Sequence, residues 1–85
     1  MTQPRLWLDE IKDALRELGG KGHLQDIYRK IQQRNRMNLD YATWENTIRR
    51  TIEQHSSDSD AFEGRSDDFY SVEGIGKGVW GLRDD

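Results

Sequence analysis

The sequence predicts one small α+β domain in which three amphipathic helices precede a C-terminal β-hairpin. Apolar residues recur every three or four positions in three segments before residue 56, and two short apolar runs flank a glycine-rich bend near the C-terminus. The chain has 85 residues, which is the length of a single domain. Three Trp, three Tyr and two Phe provide material for a small core, although hydrophobic residues make up only 33% of the chain. We therefore expect residues 1–85 to form one domain.

The first helix is predicted over residues 5–18, with Pro4 in a position that the first helical turn tolerates. Gly19 and Gly20 are expected to end it, because glycine adopts the left-handed cap conformation at little cost. A short extended segment around residues 22–24 follows and is expected to pair with the hairpin. The second helix is predicted over residues 25–35. Its outward face carries Arg29, Lys30, Gln33 and Arg34.

The third helix is predicted over residues 43–55. Thr43 is the expected N-cap, because its hydroxyl can accept a hydrogen bond from a free amide of the first turn, and Asp40 is the competing cap. Ile48 and Ile52 share one face with Trp44, which favours a core position for the Trp. The opposite face is polar and basic, with Asn46, Arg49 and Arg50.

A Ser/Asp/Gly-rich connection over residues 56–68 leads to the hairpin, and Phe62 is its expected anchor to the core. The hairpin strands are predicted over residues 69–72 and 79–82, with three glycines in the bend that permit a positive φ. Tyr70 and Val72 share one face of their strand, and Trp80 and Leu82 share one face of theirs. We expect these faces to form a single apolar surface against the helices.

Three helices followed by a hairpin with a glycine-rich tip is the order of a winged helix-turn-helix, in which the last helix is the recognition helix and the hairpin is the wing. The segment from Trp44 to Ile52, WENTIRRTI, followed by His55-Ser56-Ser57 and then by GKGVWGL from Gly76, resembles winged-helix domains of bacterial restriction endonucleases. These domains are similar to the HARE-HTH family. The resemblance covers the third helix to the C-terminus well and the first two helices loosely.

This resemblance implies a DNA-reading module that is often fused to a nuclease, and that in some enzymes senses adenine methylation. The chain contains no nuclease part, so a fused or associated nuclease is an expected partner in a restriction context. The resemblance also motivates a sharper hypothesis, in which the ligand is DNA that carries N6-methyladenine. Trp44, Tyr41 or Ala42 would then supply an apolar contact for the methyl group.

The charge distribution agrees with double-stranded DNA as a partner despite the net charge of −3. Residues 21–50 contain seven basic and three acidic residues, a net charge of +4, whereas residues 56–85 carry a net charge of −5. Positive charge is therefore concentrated in the segment that would approach phosphate.

Six residues are candidates for DNA contact. Arg49 or Arg50 can bind guanine through two hydrogen bonds in the major groove, and Asn46 can pair in the same way with adenine. Tyr41 and Thr43 precede the helix and can donate to phosphate, although capping is the competing role for Thr43. Lys77 in the hairpin bend is a candidate for phosphate or the minor groove, or else a solubilising charge.

Other classes of function are disfavoured. The chain has no Cys and no paired His, so we expect no metal site and no cofactor, and His55 is expected to cap the third helix. It lacks the motifs of nucleotide or nucleophilic catalysis, so we expect no enzyme activity. Without a long apolar run or a signal sequence it is expected to be cytoplasmic, and we expect a bacterial or phage origin. The alternative to DNA binding is a winged helix that docks another protein, which the acidic C-terminal third favours.

Overall fold

Helices and strands follow one another along the chain in the predicted order. This computed structural model describes residues 6–74 and 76–83, and Pro4, expected in the first helical turn, lies outside them. The helices are α1 (Trp7–Glu17), α2 (Leu24–Arg34) and α3 (Trp44–Gln54), and the strands are β1 (Lys21–His23), β2 (Phe69–Ser71) and β3 (Val79–Leu82). The described part of the chain is thus an α+β structure, and the helix ends differ from the prediction by the usual one or two residues.

The sheet is antiparallel, with β3 in the centre and the strand order β1-β3-β2. The register places Gly22 opposite Trp80 and Ser71 opposite the same Trp80 on the other side. This arrangement confirms that the short segment between α1 and α2 pairs with the hairpin.

Two glycines turn the chain from α1 into β1, as predicted. Gly19 and Gly20 have φ angles of +93° and +97°, which side chains rarely tolerate. The Gly20 amide donates to the carbonyl of Leu15 at 2.8 Å, and the Gly20 carbonyl accepts from the amide of Leu82 at 2.8 Å. The turn therefore closes the helix and joins it to β3 at the same time.

The start of α2 has a cap that the sequence pattern did not reveal. His23 is the N-cap, and its Nδ1 accepts a hydrogen bond from the amide of Gln25 at 3.1 Å. The His23 ring also lies against Gly78, where an added Cβ would be only 3.2 Å from Nε2. The Gly78 carbonyl accepts from the amide of Leu24 at 2.8 Å. Gly78 therefore allows the hairpin to approach the first residues of α2 closely.

The core lies between the three helices and one face of the sheet. Every helix contributes side chains from a single stripe, and β2 and β3 contribute the aromatic ones. Its buried hydrophobic residues are Ile11, Ala14, Leu15, Ile27, Tyr28, Ile31, Ile48, Ile52, Phe69, Trp80 and Leu82. Trp44, for which we expected a core position, is only partly buried and packs on the edge of this cluster.

The inward face of the hairpin differs from the expectation. Phe69 lies opposite Leu82, and Ser71 lies opposite Trp80, so these side chains share the core face. Tyr70 pairs with Gly81, and an added Cβ there would be 2.6 Å from Tyr70 Cε1. The prediction that Tyr70 and Val72 face the helices was therefore wrong: they lie on the opposite face. Phe69, at the very start of the strand, is fully buried in their place.

A buried carboxylate links α1 to α2. Glu10 is fully buried, and its Oε2 accepts a hydrogen bond from Arg34 Nε at 2.6 Å. Arg34 also pairs with Glu17 and lies 3.7 Å from a carboxylate oxygen of Asp13. These contacts, Glu10 foremost, raise the pKa of Arg34. The expectation that Arg34 lies on an outward face was wrong, because the buried Glu10 requires a cation.

None of the helices in residues 6–74 and 76–83 has both the length and the apolar character that crossing a bilayer requires.

The Glu10–Arg34 pair should be a main determinant of stability. We expect Glu10→Ala to lower the free energy of unfolding by about 1.5–3 kcal/mol, because the Arg34 guanidinium loses its buried hydrogen-bond partner while Glu17 still compensates part of its charge. Urea unfolding followed by circular dichroism measures the change. Arg16→Ala, which removes an exposed partner of Asp13, is the control and should cost less than about 1 kcal/mol. Equal losses in the two variants would contradict this role for Glu10.

Candidate functional site

The exposed face of α3 carries the polar residues that the sequence singled out. Ile48 and Ile52 are fully buried, and this fixes the rotation of the helix about its axis. Asn46, Arg49 and Arg50 are consequently exposed on the other side. The structure therefore brings these three predicted residues together on one surface.

Two clefts border this surface. The larger, of about 490 Å³, is lined by Asn46, Arg49, Arg50, Glu53, Gln54 and Ala61. The second, of about 300 Å³, lies between α3 and the hairpin and is lined by Leu24, Arg49, Glu53, Gly76, Gly78 and Trp80. Arg49 and Glu53 line both clefts. Arg49 thus borders both the exposed face of α3 and the cleft towards the hairpin.

Six of the ten other Lys and Arg residues within residues 6–74 and 76–83 form ion pairs, whereas Lys21, Arg36, Arg65 and Lys77 form none there. Lys12, Arg16, Arg29, Lys30, Arg34 and Arg83 each lie within 4 Å of a carboxylate. Arg49 and Arg50 form no ion pair with any carboxylate of residues 6–74 and 76–83, although Glu45 and Glu53 lie one turn away on the same helix. Both guanidinium groups are therefore available to an anionic ligand.

The charged side chains of α3 affect the pKa of Tyr28 in the core beneath the helix. Tyr28 is buried and packs edge-on against Trp44, with ring centroids 5.9 Å apart. Burial raises the pKa of the Tyr28 phenol; Glu45 and Glu53 add to this increase, and Arg49 opposes it. A phenol in this setting stays neutral and acts as a core side chain.

The turn before α3 is exposed, and Thr43 does not cap as expected. Thr43 occupies the N-cap position, but its hydroxyl makes no capping hydrogen bond. Its φ and ψ of −101° and 17° differ from the extended backbone that directs a cap hydroxyl to the first-turn amides. Tyr41 is also exposed, and its hydroxyl lies 3.3 Å from Thr47 Oγ1. The Thr43 hydroxyl therefore makes no capping bond at the start of α3, whereas the Tyr41 hydroxyl donates to Thr47 Oγ1.

Lys77 lies exposed in the hairpin bend, separate from the residues that line the clefts. Its amide donates to the carbonyl of Gly74 at 3.3 Å, which closes the bend. Gly74, Gly76 and Gly78 have φ angles of +101°, +92° and +74°, which confirms the prediction of positive φ. Lys77 therefore lies on the hairpin outside the cleft, whereas Gly76 and Gly78 on either side of it line the cleft between α3 and the hairpin.

The connection over residues 56–68 is held by polar groups, and the prediction that Phe62 anchors it was wrong. Phe62 is 37% exposed, whereas Ser56 is fully buried. His55 occupies the expected C-cap position of α3, but its ring Nδ1 lies 3.0 Å from Ser66 Oγ instead of bonding the last helix carbonyls. Its carbonyl accepts from the amides of Asp68 and Phe69. Hydrogen bonds to backbone groups therefore fix this loop. A prediction from hydrophobic residues alone could not identify them.

Arg83 ties the same loop to the sheet. Its Nε donates to Asp67 Oδ1 at 2.8 Å and to the carbonyl of Phe69 at 2.9 Å, and Nη2 lies 3.3 Å from Asp58. Asp58 in turn accepts from the amide of Ser71 at 2.9 Å, on the outer edge of β2. This network holds Asp58 beside a third cleft, of about 260 Å³, that Glu53 and Asp60 also line. The acidic loop therefore forms one border of the α3 face.

No group of three or more His, Asp or Glu side chains within residues 6–74 and 76–83 has the geometry to hold a metal ion. Comparisons with protein-family models, curated proteins and solved structures find no match to this chain. The candidate site is therefore defined by the exposed face of α3, the turn before it, and the hairpin beside it.

The hydrogen bonds from Ser57 and Arg83 to Asp67 should lower the pKa measured for this carboxyl. The hydroxyl and amide of Ser57, followed by Arg83, hold the Asp67 pKa below its ordinary value of 3.8. We expect Ser57→Ala to raise this pKa towards 3.8, as NMR detection of the side-chain carboxyl would show. Because the folded-state pKa is depressed, the stabilisation is complete above about pH 4 and is lost as the pH falls through the lowered pKa.

Glu63→Gln, a change in the same loop outside this network, is the control and should leave the Asp67 titration in place. An Asp67 midpoint that is the same in wild type and Ser57→Ala would show that Ser57 does not stabilise the carboxylate.

Proposed function

We propose that this chain is a winged helix-turn-helix module that binds double-stranded DNA, with α3 in the major groove and the β2–β3 hairpin as the wing. Three helices, a three-stranded antiparallel sheet and a terminal hairpin agree with this fold. The observation that carries the proposal is that Arg49 and Arg50 are exposed, adjacent and without an ion pair to a described carboxylate. An unpaired cation pair on one exposed helix face suits an anionic polymer.

The geometry of α3 suggests how bases would be read. Adjacent helical residues point about 100° apart, so one of Arg49 and Arg50 reaches a base edge while the other reaches a phosphate. Arginine binds guanine O6 and N7 through two hydrogen bonds, and the amide of Asn46 does the same with adenine N6 and N7. The face therefore suits a site that contains G and A.

Contacts to phosphate would fix the register on the duplex. Tyr41 and Thr43 are exposed at the start of α3, where donors to the sugar-phosphate backbone are common, and the Tyr41 hydroxyl would exchange its bond to Thr47 for one to phosphate. Lys77 would contact the backbone or the minor groove from the hairpin. These contacts position the helix without selecting a sequence.

We expect the module to act by binding alone, joined to or associated with a nuclease, as the resemblance to restriction endonuclease domains suggests. The competing function is docking of another protein, which is favoured by one observation: Glu53, Asp58 and Asp60 line a cleft at the end of α3. Binding to duplex DNA tests the two functions against each other, because the acidic cleft that favours docking would repel phosphate.

Removal of either arginine should weaken DNA binding. We expect Arg49→Ala or Arg50→Ala to cost about 1–3 kcal/mol where the residue reads a base, and to reduce the salt slope where it binds phosphate. Fluorescence anisotropy with duplexes selected from a randomised pool, over a series of salt concentrations, measures both quantities.

Arg16→Ala is the matched control, because it removes the same charge from α1 and should leave affinity nearly unchanged. The assignment fails if both α3 variants bind like wild type at low salt. If wild type shows no affinity for any duplex, DNA binding itself is wrong and the protein-docking function gains support.

We further propose that the preferred duplex carries N6-methyladenine. Among the three apolar side chains suggested for the methyl group, Trp44 is directed towards Tyr28 and is partly buried. Tyr41 is 38% exposed and Ala42 is also exposed, so these two are better placed for a contact with the groove. Tyr41 and Ala42 precede α3, and Asn46 lies in its first turn. Because the methyl group replaces the N6–H that faces the major groove, Asn46 would donate to N7 of the methylated base, and the apolar contact would take the place of the hydrogen bond to N6.

Methylated and unmethylated duplexes of one sequence test this proposal. We expect the methylated duplex to bind about fourfold more tightly, because burial of one methyl group contributes about 0.8 kcal/mol. Tyr41→Ala should reduce this difference, whereas Phe62→Ala, which removes an aromatic ring of similar exposure from the loop, should preserve it. Equal affinities of wild type for the two duplexes would exclude methyl reading.

A further inference from the structure

Glu53 occupies the junction of the clefts around α3. It lines the cleft between α3 and the hairpin, the cleft beside Arg50, and the acidic cleft that Asp58 borders. Its side chain is partly buried. Any molecule that lies along the exposed face of α3 therefore meets this carboxylate.

The carboxylate of Glu53 is not used by the fold. It forms no ion pair with a cation of residues 6–74 and 76–83, although Arg49 lies one turn away and Arg50 three residues away. No hydrogen bond to its side chain occurs within the same described part of the chain. Its acceptor oxygens are thus available to a ligand that can donate hydrogen bonds.

The position of Glu53 along α3 relates it to the proposed base-reading residues. Asn46, Arg49 and Glu53 follow one another at intervals of three and four, so they lie on one face. At 1.5 Å per residue, Glu53 lies about 10 Å beyond Asn46, a distance of about three base steps of 3.4 Å. The three side chains can therefore address neighbouring base pairs.

A carboxylate at this position discriminates among duplexes. Near phosphate it is repelled, and burial at the interface adds a desolvation cost unless a donor satisfies it. In the major groove, cytosine presents an N4 amino group that donates to Glu or Asp. Guanine and thymine present acceptors, and adenine presents its N6 amino donor beside the N7 acceptor, which repels a carboxylate. Glu53 is therefore tolerated opposite cytosine and is unfavourable opposite most other bases.

We infer, on the basis of the proposed DNA binding, that Glu53 is a specificity-determining residue that selects one cytosine and weakens binding to other sequences. Its role is opposite in sign to that of Arg49, because it lowers affinity for non-cognate duplexes more than for the cognate one. The carboxylate thereby offsets part of the non-specific attraction of DNA phosphates by Arg49 and Arg50.

Selection from a pool of randomised duplexes, followed by sequencing of the retained DNA, tests this inference with wild type, Glu53→Gln and Glu53→Ala. We expect the wild-type pool to be enriched in one C·G position that both variants lose. Affinity of the variants for unselected random duplexes should rise, and the ratio of selected to random affinity should fall by about fivefold or more. Because the Glu53 side chain makes no hydrogen bond or ion pair with the described residues, we expect both variants to fold, which circular dichroism verifies.

Glu63→Gln is the matched control, because it removes the same charge from the acidic loop at an exposed position. It should keep the C·G preference of wild type. The inference is overturned if wild type enriches a sequence and Glu53→Gln enriches the same one, or if Glu53→Gln raises affinity for selected and random duplexes equally. Failure of wild type to retain any duplex would instead overturn the proposed DNA binding.

Discussion

The burial of Ile48 and Ile52 is the constraint on which the rest of the structure depends. In a chain with only 33% hydrophobic residues, every large aliphatic side chain on a helix is needed in the core. Once these two are fully buried, α3 has a single orientation about its axis. Asn46, Arg49 and Arg50 then face outward together, so core packing and the composition of the exposed surface are consequences of one pattern.

Two groups of cations have different roles in this protein. Arg34 and Lys12 bind carboxylates of other elements, Glu10 and Asp68 respectively, and thereby hold α1 against α2 and against the loop before β2. The arginines of α3 have no such partner within the described residues. A cation in a fixed ion pair attracts a ligand less strongly than an unpaired one. Because the described cations of α1 and α2 are paired, the unpaired positive charge on the helices lies on the surface that we propose for DNA.

The acidic third of the chain is compatible with this proposal because its carboxylates are organised. Arg83 engages Asp58 and Asp67, and the latter also accepts from Ser57, so the loop has a defined path along α3. Negative charge beside the face that we propose for DNA would limit non-specific association and restrict the orientations in which a duplex can approach. Glu53 lies between this loop and the arginines, so its carboxylate would repel phosphate close to the groups that would attract it.

The sequence by itself determined the number and order of the elements, the ends of the helices to within one or two residues, and the polar face of α3. Local rules suffice for these features, since helical spacing, glycine turns and hairpin glycines act over a few neighbouring residues. The three predicted residues on α3 come together because a helix preserves their spacing. Residues on separate segments, Tyr41 and Lys77, could be named as candidates, but their distance from α3 could not be derived from spacing.

Only the tertiary structure decided which polar residues serve the fold. The sequence predicted Arg34 to face outward, but it forms a hydrogen-bonded ion pair with the buried Glu10. It also predicted that Phe62 anchors the loop, whereas the buried Ser56 and the hydrogen bonds of Arg83 hold it. Phe69 replaced Tyr70 in the core because pairing with β3 set the register. Each of these outcomes depends on a partner distant in sequence, and side-chain periodicity contains no information about which distant partner a residue will meet.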